Sequence, residues 1–220
     1  LTDTTLIRKF HPDTPEDVSF ETRSRVYINR NLAWREALLD LAHELTHYVS
    51  REPFNPYIIN FSLPDFVRST IEGKGGEAHA FVNECLVMRE LFTTEFSQDS
   101  NCAKVGPTNE GASTLARASA LFYHMGSFYP QMKKIVDERG IPNDFPNLNQ
   151  EKIKFISSAY GLPYPLAAIA EYESVLSKVC ENDRRRLTYM SKPAVRSPAS
   201  LEKFRSNVEQ RCRTVSQVSR

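Results

Sequence analysis

The stretch Ala33–Ser50, AWREALLDLAHELTHYVS, decides how this chain is read. Leu38, Leu41, Leu45 and Val49 recur at spacings of three and four, the period of an amphipathic helix. A helix is predicted over 33–50, stopped by Pro53, Asn55 and Pro56. Within it His43 and His47 stand four residues apart. A helical turn takes about 3.6 residues, so both imidazoles lie on one face. Two imidazoles so placed can bind one zinc ion at about 2.0–2.1 Å. Glu44 sits one step round, where its carboxylate can hydrogen-bond a water held by the metal. A carboxylate there can take a proton as the water attacks a carbonyl, and pass it to a leaving amine. Such a helix has to be packed in the protein to keep bulk water from the metal.

Outward from this helix the pattern alternates between helices and breaks. Residues 1–22 read as a polar, extended arm with turns, and Arg25–Arg30 as a strand. After the helix, residues 57–62 could be extended, and Leu63-Pro64-Asp65 starts a short helix to about Glu72. Gly73, Gly75 and Gly76 break the chain before a second strong helix over 77–92. A polar loop is expected over 97–109, then a long helical region over 110–139, kinked near Gly126 or Pro130. Residues 151–158 suggest one more short helix. SAYGLPYP (158–165) reads as turns, followed by a helix from about Leu166 through Cys180 toward Tyr189. A basic tail ends in an amphipathic helix over about 200–215. The fold class is α+β, predominantly helical: a small sheet, an active-site helix and a helical C-terminal half. One domain is expected over 1–190, with 191–220 as a basic helical tail.

A catalytic zinc usually has three protein ligands. After His47 the chain continues Tyr48-Val49-Ser50-Arg51-Glu52, without a further histidine, so the third ligand comes from elsewhere. Glu77 fits that need. It opens the second strong helix after glycines that allow close approach, and its neighbours Ala78 and Ala80 are small enough for two helices to meet. Glu72 and Glu84 are its rivals, Glu84 also being a candidate partner of a ligand. His79, two residues from Glu77, points elsewhere and reads as a surface or packing histidine.

HExxH followed about thirty residues later by Glu77-Ala78-His79-Ala80-Phe81 resembles the gluzincin arrangement, and in detail is similar to the ImmA/IrrE minimal metallopeptidases. The resemblance spans about Val26 to Leu91. It implies a minimal zincin core, with His43, His47 and Glu77 as zinc ligands, Glu44 as general base, and peptide bonds as the target.

Zinc hydrolases often stabilise the developing oxyanion with a residue outside the zinc helices. Tyr160, between small residues in a turn-rich segment, is the first candidate; Tyr164, His124 and Tyr123 are the others.

Bulk properties exclude other classes. The 220 residues carry a net charge of +1, so no global field favours nucleic acid or a membrane surface. No apolar run approaches the ~20 residues that span a bilayer. The run Arg184-Arg185-Arg186 is offset by Glu181 and Asp183 and reads as a solvated helix face. Four cysteines form no CxxC pair, so a thiolate metal site is not expected. Two disulfides are, because Cys102 lies in the polar stretch SQDSNCAK, which does not read as core; Cys85–Cys102 and Cys180–Cys212 are the most local pairings, and the sequence leaves the choice open. With a chain beginning at Leu1 rather than Met, this leads to the expectation of a secreted or periplasmic protein acting on proteins, peptides or cell-wall peptides. Two rivals remain open: a metal-binding sensor or interaction module without turnover, and a helical structural protein with a coincidental HExxH.

Overall fold

The computed structural model describes residues 1–11, 13–51, 55–58, 61–98, 100–105, 114–139, 141, 147–191 and 198–213. Two strands, β1 (Thr2–His11) and β2 (Thr14–Val26), pair as one antiparallel sheet. The helices that follow are α1 (Trp34–Ser50), α2 (Leu63–Ile71), α3 (Glu77–Leu91), α4 (Thr93–Gln98), α5 (Ser100–Val105), α6 (Thr114–Phe122), α7 (Tyr129–Glu138), α8 (Tyr164–Met190) and α9 (Pro198–Cys212). The fold is α+β and predominantly helical. No helix among the described residues is long and apolar enough to cross a membrane.

Several local expectations change. Residues 1–22 are not a loose arm but most of a hairpin, and the strand expected over 25–30 ends at Val26. Thr, Val, Phe and Ile on this segment suit a pleated surface, and backbone pairing outweighs its polar composition. The loop expected over 97–109 holds the end of α4 and all of α5, while 99 and 106–109 lie outside the described residues. The 110–139 region breaks between α6 and α7, where Met125 and Gly126 donate their amides to the carbonyls of Asn149 and Glu151. Residues 151–158 are not helical; Ile156 instead bridges to Pro163.

The chain divides into two compact units. The first comprises residues 1–3, 24–52 and 62–169, the second 4–23, 53–61 and 170–220.

In the first unit α1 packs on α3. Ala78 and Ala80 are fully buried there, and Asn83 Nδ2 donates to Thr46 Oγ1 at 3.1 Å. Phe81, Phe122, Phe155 and Tyr164 form a continuous aromatic cluster, with Phe122 and Phe155 stacked at 4.3 Å. The Cys85–Cys102 disulfide ties α3 to α5. Cys102 is 2% exposed, so the polar stretch around it does not keep it from the core.

In the second unit the Cys180–Cys212 disulfide ties α8 to α9 inside an apolar cluster of Leu176, Val208, Phe61 and Phe204. Disulfides of this kind form and persist in oxidising compartments. One turn beyond Cys180, Asp183 is fully buried between the guanidinium groups of Arg8 and Arg211. Arg8 also stacks over the Tyr57 ring at 3.9 Å, and Arg211 Nη2 donates to the Tyr57 carbonyl at 2.9 Å.

Removing one partner from a buried ion pair leaves an uncompensated charge and costs about 3–5 kcal/mol. Asp183→Asn keeps the size and removes the charge, so urea unfolding is expected to show a loss of about that amount. A change under about 1 kcal/mol would mean that water reaches the two guanidinium groups.

Candidate metal centre

Helix α1 starts without a side-chain cap after Ala33 and ends at Arg51, whose N–H donates to the His47 carbonyl at 3.0 Å. Its buried face is not the leucine stripe. Leu45 is 42% and Val49 77% exposed, while Leu39, Glu44, Thr46 and His47 are buried. The stripe at 38, 41, 45 and 49 therefore misassigns the inward side. Polar residues hold that side because the first residues of the chain, the loop before α3 and α3 itself supply their partners.

His43, His47 and Glu77 converge, with one ligand atom from each lying within 4.8 Å of the others. His43 Nε2 is 3.4 Å from Glu77 Oε2, and His47 Nε2 is 3.6 Å from Glu77 Oε1. Two ligands of a tetrahedral zinc with bonds of about 2.0–2.1 Å stand about 3.4 Å apart, so the spacing fits such an ion. These three residues could hold a metal ion.

The far nitrogen of each ring is also engaged. His47 Nδ1 is 2.7 Å from the Gly75 carbonyl oxygen. A carbonyl only accepts, so this nitrogen carries the proton and Nε2 presents its lone pair. His43 Nδ1 is 3.1 Å from Glu84 Oε2. Partners of this kind fix the tautomer and the ring plane of a metal-bound histidine. Glu84 is thus a partner of His43, one of the three residues that could hold the ion. Glu72, the other rival, accepts from the Tyr123 hydroxyl instead.

Glu44 Oε1 is 2.9 Å from the Leu1 nitrogen, and Thr2 Oγ1 donates to the Glu44 carbonyl at 2.9 Å. The second carboxylate oxygen, Oε2, is buried with no hydrogen-bond partner among the described residues. A buried carboxylate oxygen without a partner is costly, and a bound water would satisfy it.

Electrostatics bind the cluster together. Burial alone would lower the His43 pKa, but the carboxylates of Glu77 and Glu84 outweigh it and raise it to about 10. Burial would raise Glu77, yet the hydrogen bond from His43 and the charges of His47, His43 and Arg51 hold it below the usual carboxylate range. Burial depresses His47 despite the opposing Glu77 charge, with His43 and Arg51 adding to the depression. Arg51, one turn beyond His47, is therefore a cation beside the centre that the motif did not signal.

Among the oxyanion candidates, Tyr164 hydrogen-bonds Glu77, and burial together with the Glu77 charge pushes its phenol far above the usual range. Tyr160 is 41% exposed in the turn before it. His124 is buried 3.6 Å from Glu151 Oε2, and Tyr123 is engaged with Glu72. Helical spacing alone could not rank Tyr160 against Tyr164, because both flank the same turn. The structure separates them by placing Tyr164 first in α8.

Comparison of the chain with protein-family models, with curated proteins and with solved structures finds no match in any of the three.

A proton held on His43 up to about pH 10 has two measurable consequences. Its folded pKa lies above the ordinary 6.5, so its contribution to stability is full below that value and is lost as pH rises toward 10. The metal-free protein is expected to become less stable across that window. Zinc binding at pH 8 must expel this proton while His47 is already neutral. Calorimetry in buffers of different ionisation enthalpy should therefore read about one proton released per ion; no buffer dependence would refute the charged state of His43.

Proposed function

We propose that this chain is a zinc-dependent hydrolase of peptide bonds. The observation that carries the reading is the convergence of His43 Nε2, His47 Nε2 and Glu77, with Glu44 next to His43 in α1 and its Oε2 buried without a hydrogen-bond partner among the described residues. The resemblance of the HELTH and EAHAF stretches to the gluzincin arrangement supports the same reading.

His43, His47 and Glu77 would hold the ion. When bound, zinc supplies a Lewis acid and lowers the pKa of water toward ~7. Glu44 accepts the proton of the attacking water on its free oxygen and delivers it to the amine nitrogen that leaves. Glu84 and the Gly75 carbonyl hold the two imidazoles in the ligating tautomer. Tyr164 keeps its proton at any working pH, so its hydroxyl is a donor for the substrate oxygen on which charge develops. Tyr164 takes this role in preference to Tyr160 because it is held beside Glu77 while Tyr160 is 41% exposed, and its single O–H exchanges the Glu77 carboxylate for the substrate oxygen.

The substrate is a protein or peptide, and cell-wall peptides suit the same chemistry. Two disulfides agree with action in a secreted or periplasmic setting.

Glu44→Gln should retain about one zinc per chain by elemental mass spectrometry and lose turnover of a broad peptide pool by about 10²–10⁴-fold. Retained turnover would remove Glu44 as the base. Wild-type protein that binds zinc yet cleaves nothing would favour the metal-binding sensor. Tyr164→Phe should keep the metal and lower kcat by about 10²-fold with little change in KM; an unchanged kcat would return the role to another group.

A further inference from the structure

The glycine-rich tract Gly73-Lys74-Gly75-Gly76 is held by a residue to which the proposed reaction gives no role. The tract makes one tight turn between α2 and α3, closed by the Gly76 amide on the Gly73 carbonyl at 2.8 Å. Gly75 is the third residue of that turn and has φ of +69°, a conformation that side chains disfavour. A Cβ there would fall 2.3 Å from the Arg51 nitrogen. The bare backbone of the loop thus lies directly on the end of α1, and no side chain on Gly75 can fix its orientation.

Two hydrogen bonds hold Gly75 instead, one at each end. Its carbonyl accepts from His47 Nδ1 at 2.7 Å. Its amide donates to His79 Nδ1 at 3.0 Å, so the ring of His79 reaches back four residues from the first turn of α3. An amide N–H only donates, so His79 carries its proton on Nε2. His79 is half-buried, and its neighbours Ala78 and Ala80 are fully buried against the packed side of α3.

We infer that His79 is a positioning residue of the metal centre: it grips the Gly75 amide and so holds the Gly75 carbonyl where it orients the ring of His47. This rests on the reading of the centre as a metal site. The two ligating histidines are oriented by different means. His43 meets a carboxylate side chain, Glu84, whereas His47 meets a backbone carbonyl whose placement depends on the loop. His79 acts on His47 alone. Loss of partners outside the ligand set lowers metal affinity about 10–100-fold, and one bond further out the lower end applies.

The test compares wild type with His79→Ala, His79→Asn and His79→Gln. Zinc affinity is read by chelator competition, and ligand geometry by the visible spectrum of the cobalt-substituted protein. His79→Ala should weaken zinc about tenfold and shift the cobalt bands. An asparagine oxygen lies near the place of Nδ1 and accepts from the amide, so His79→Asn should restore most of the affinity. The glutamine amide falls near Nε2 and should not. An alanine variant with wild-type affinity and spectrum would overturn the inference. A glutamine variant equal to asparagine would do the same, because packing alone would then suffice; this comparison stands even if alanine fails to fold. In the metal-free protein, slow exchange of the Gly75 amide and the Nδ1–H tautomer of His47, read by nitrogen-15 NMR, should both be lost in His79→Ala. If wild type bound no metal, the metal reading would fall, and these two signals would still decide whether His79 sets the loop.

Discussion

The contact on which the centre depends is the hydrogen bond from His47 Nδ1 to the Gly75 carbonyl. It joins the helix that carries His43 and His47 to the loop that launches Glu77. If it slips, the lone pair of His47 no longer points at Glu77, and the first turn of α3 is no longer tied to the end of α1. Its geometry requires a backbone carbonyl within 2.7 Å of a helix side chain. Only a loop without a Cβ at that point can come so close, since one would meet the Arg51 nitrogen.

The second constraint is that a metal site has to bury polar groups and satisfy them. Helix α1 turns Glu44, Thr46 and His47 inward and leaves Leu45, Tyr48 and Val49 in contact with water. This inverts the ordinary sense of an amphipathic helix. It is tolerable because the buried polar atoms find partners: Thr46 with the Ala42 carbonyl and Asn83, His43 with Glu84, His47 with Gly75. Glu44 Oε2, buried without a hydrogen-bond partner among the described residues, stands out against that background, and it belongs to the residue proposed as the general base. Periodicity misassigns the inward face because a hydrophobicity pattern has no means of weighing hydrogen bonds to another helix.

Covalent ties bear much of the remaining order. Cys85–Cys102 fastens α3, which carries Glu77 and Glu84, to a short helix inside a largely polar stretch. Cys180–Cys212 fastens α9 to α8 beside the buried Asp183. Short helices such as α5 are marginal without packing, so a cross-link nearby does for them what a long apolar face does elsewhere.

By itself the sequence determined the features that depend on local spacing. These are the helix over 33–50, with His43 and His47 on one face and Glu44 beside them, the glycine break before Glu77, and the helical character of most of the chain. Each follows from the period of a helix or the backbone freedom of glycine, whereas the pairing of the four cysteines came from the structure. The glycines before Glu77 and the small residues beside it already set that carboxylate apart; tertiary structure alone decided that Glu84 faces His43 and that Glu72 accepts from Tyr123. It likewise decided that Tyr164 rather than Tyr160 meets Glu77, that the polar N-terminal segment pairs as a hairpin, and that His79 grips Gly75. These outcomes turn on distances between segments far apart in the chain or on the path of a turn, and neither composition nor periodicity encodes such distances.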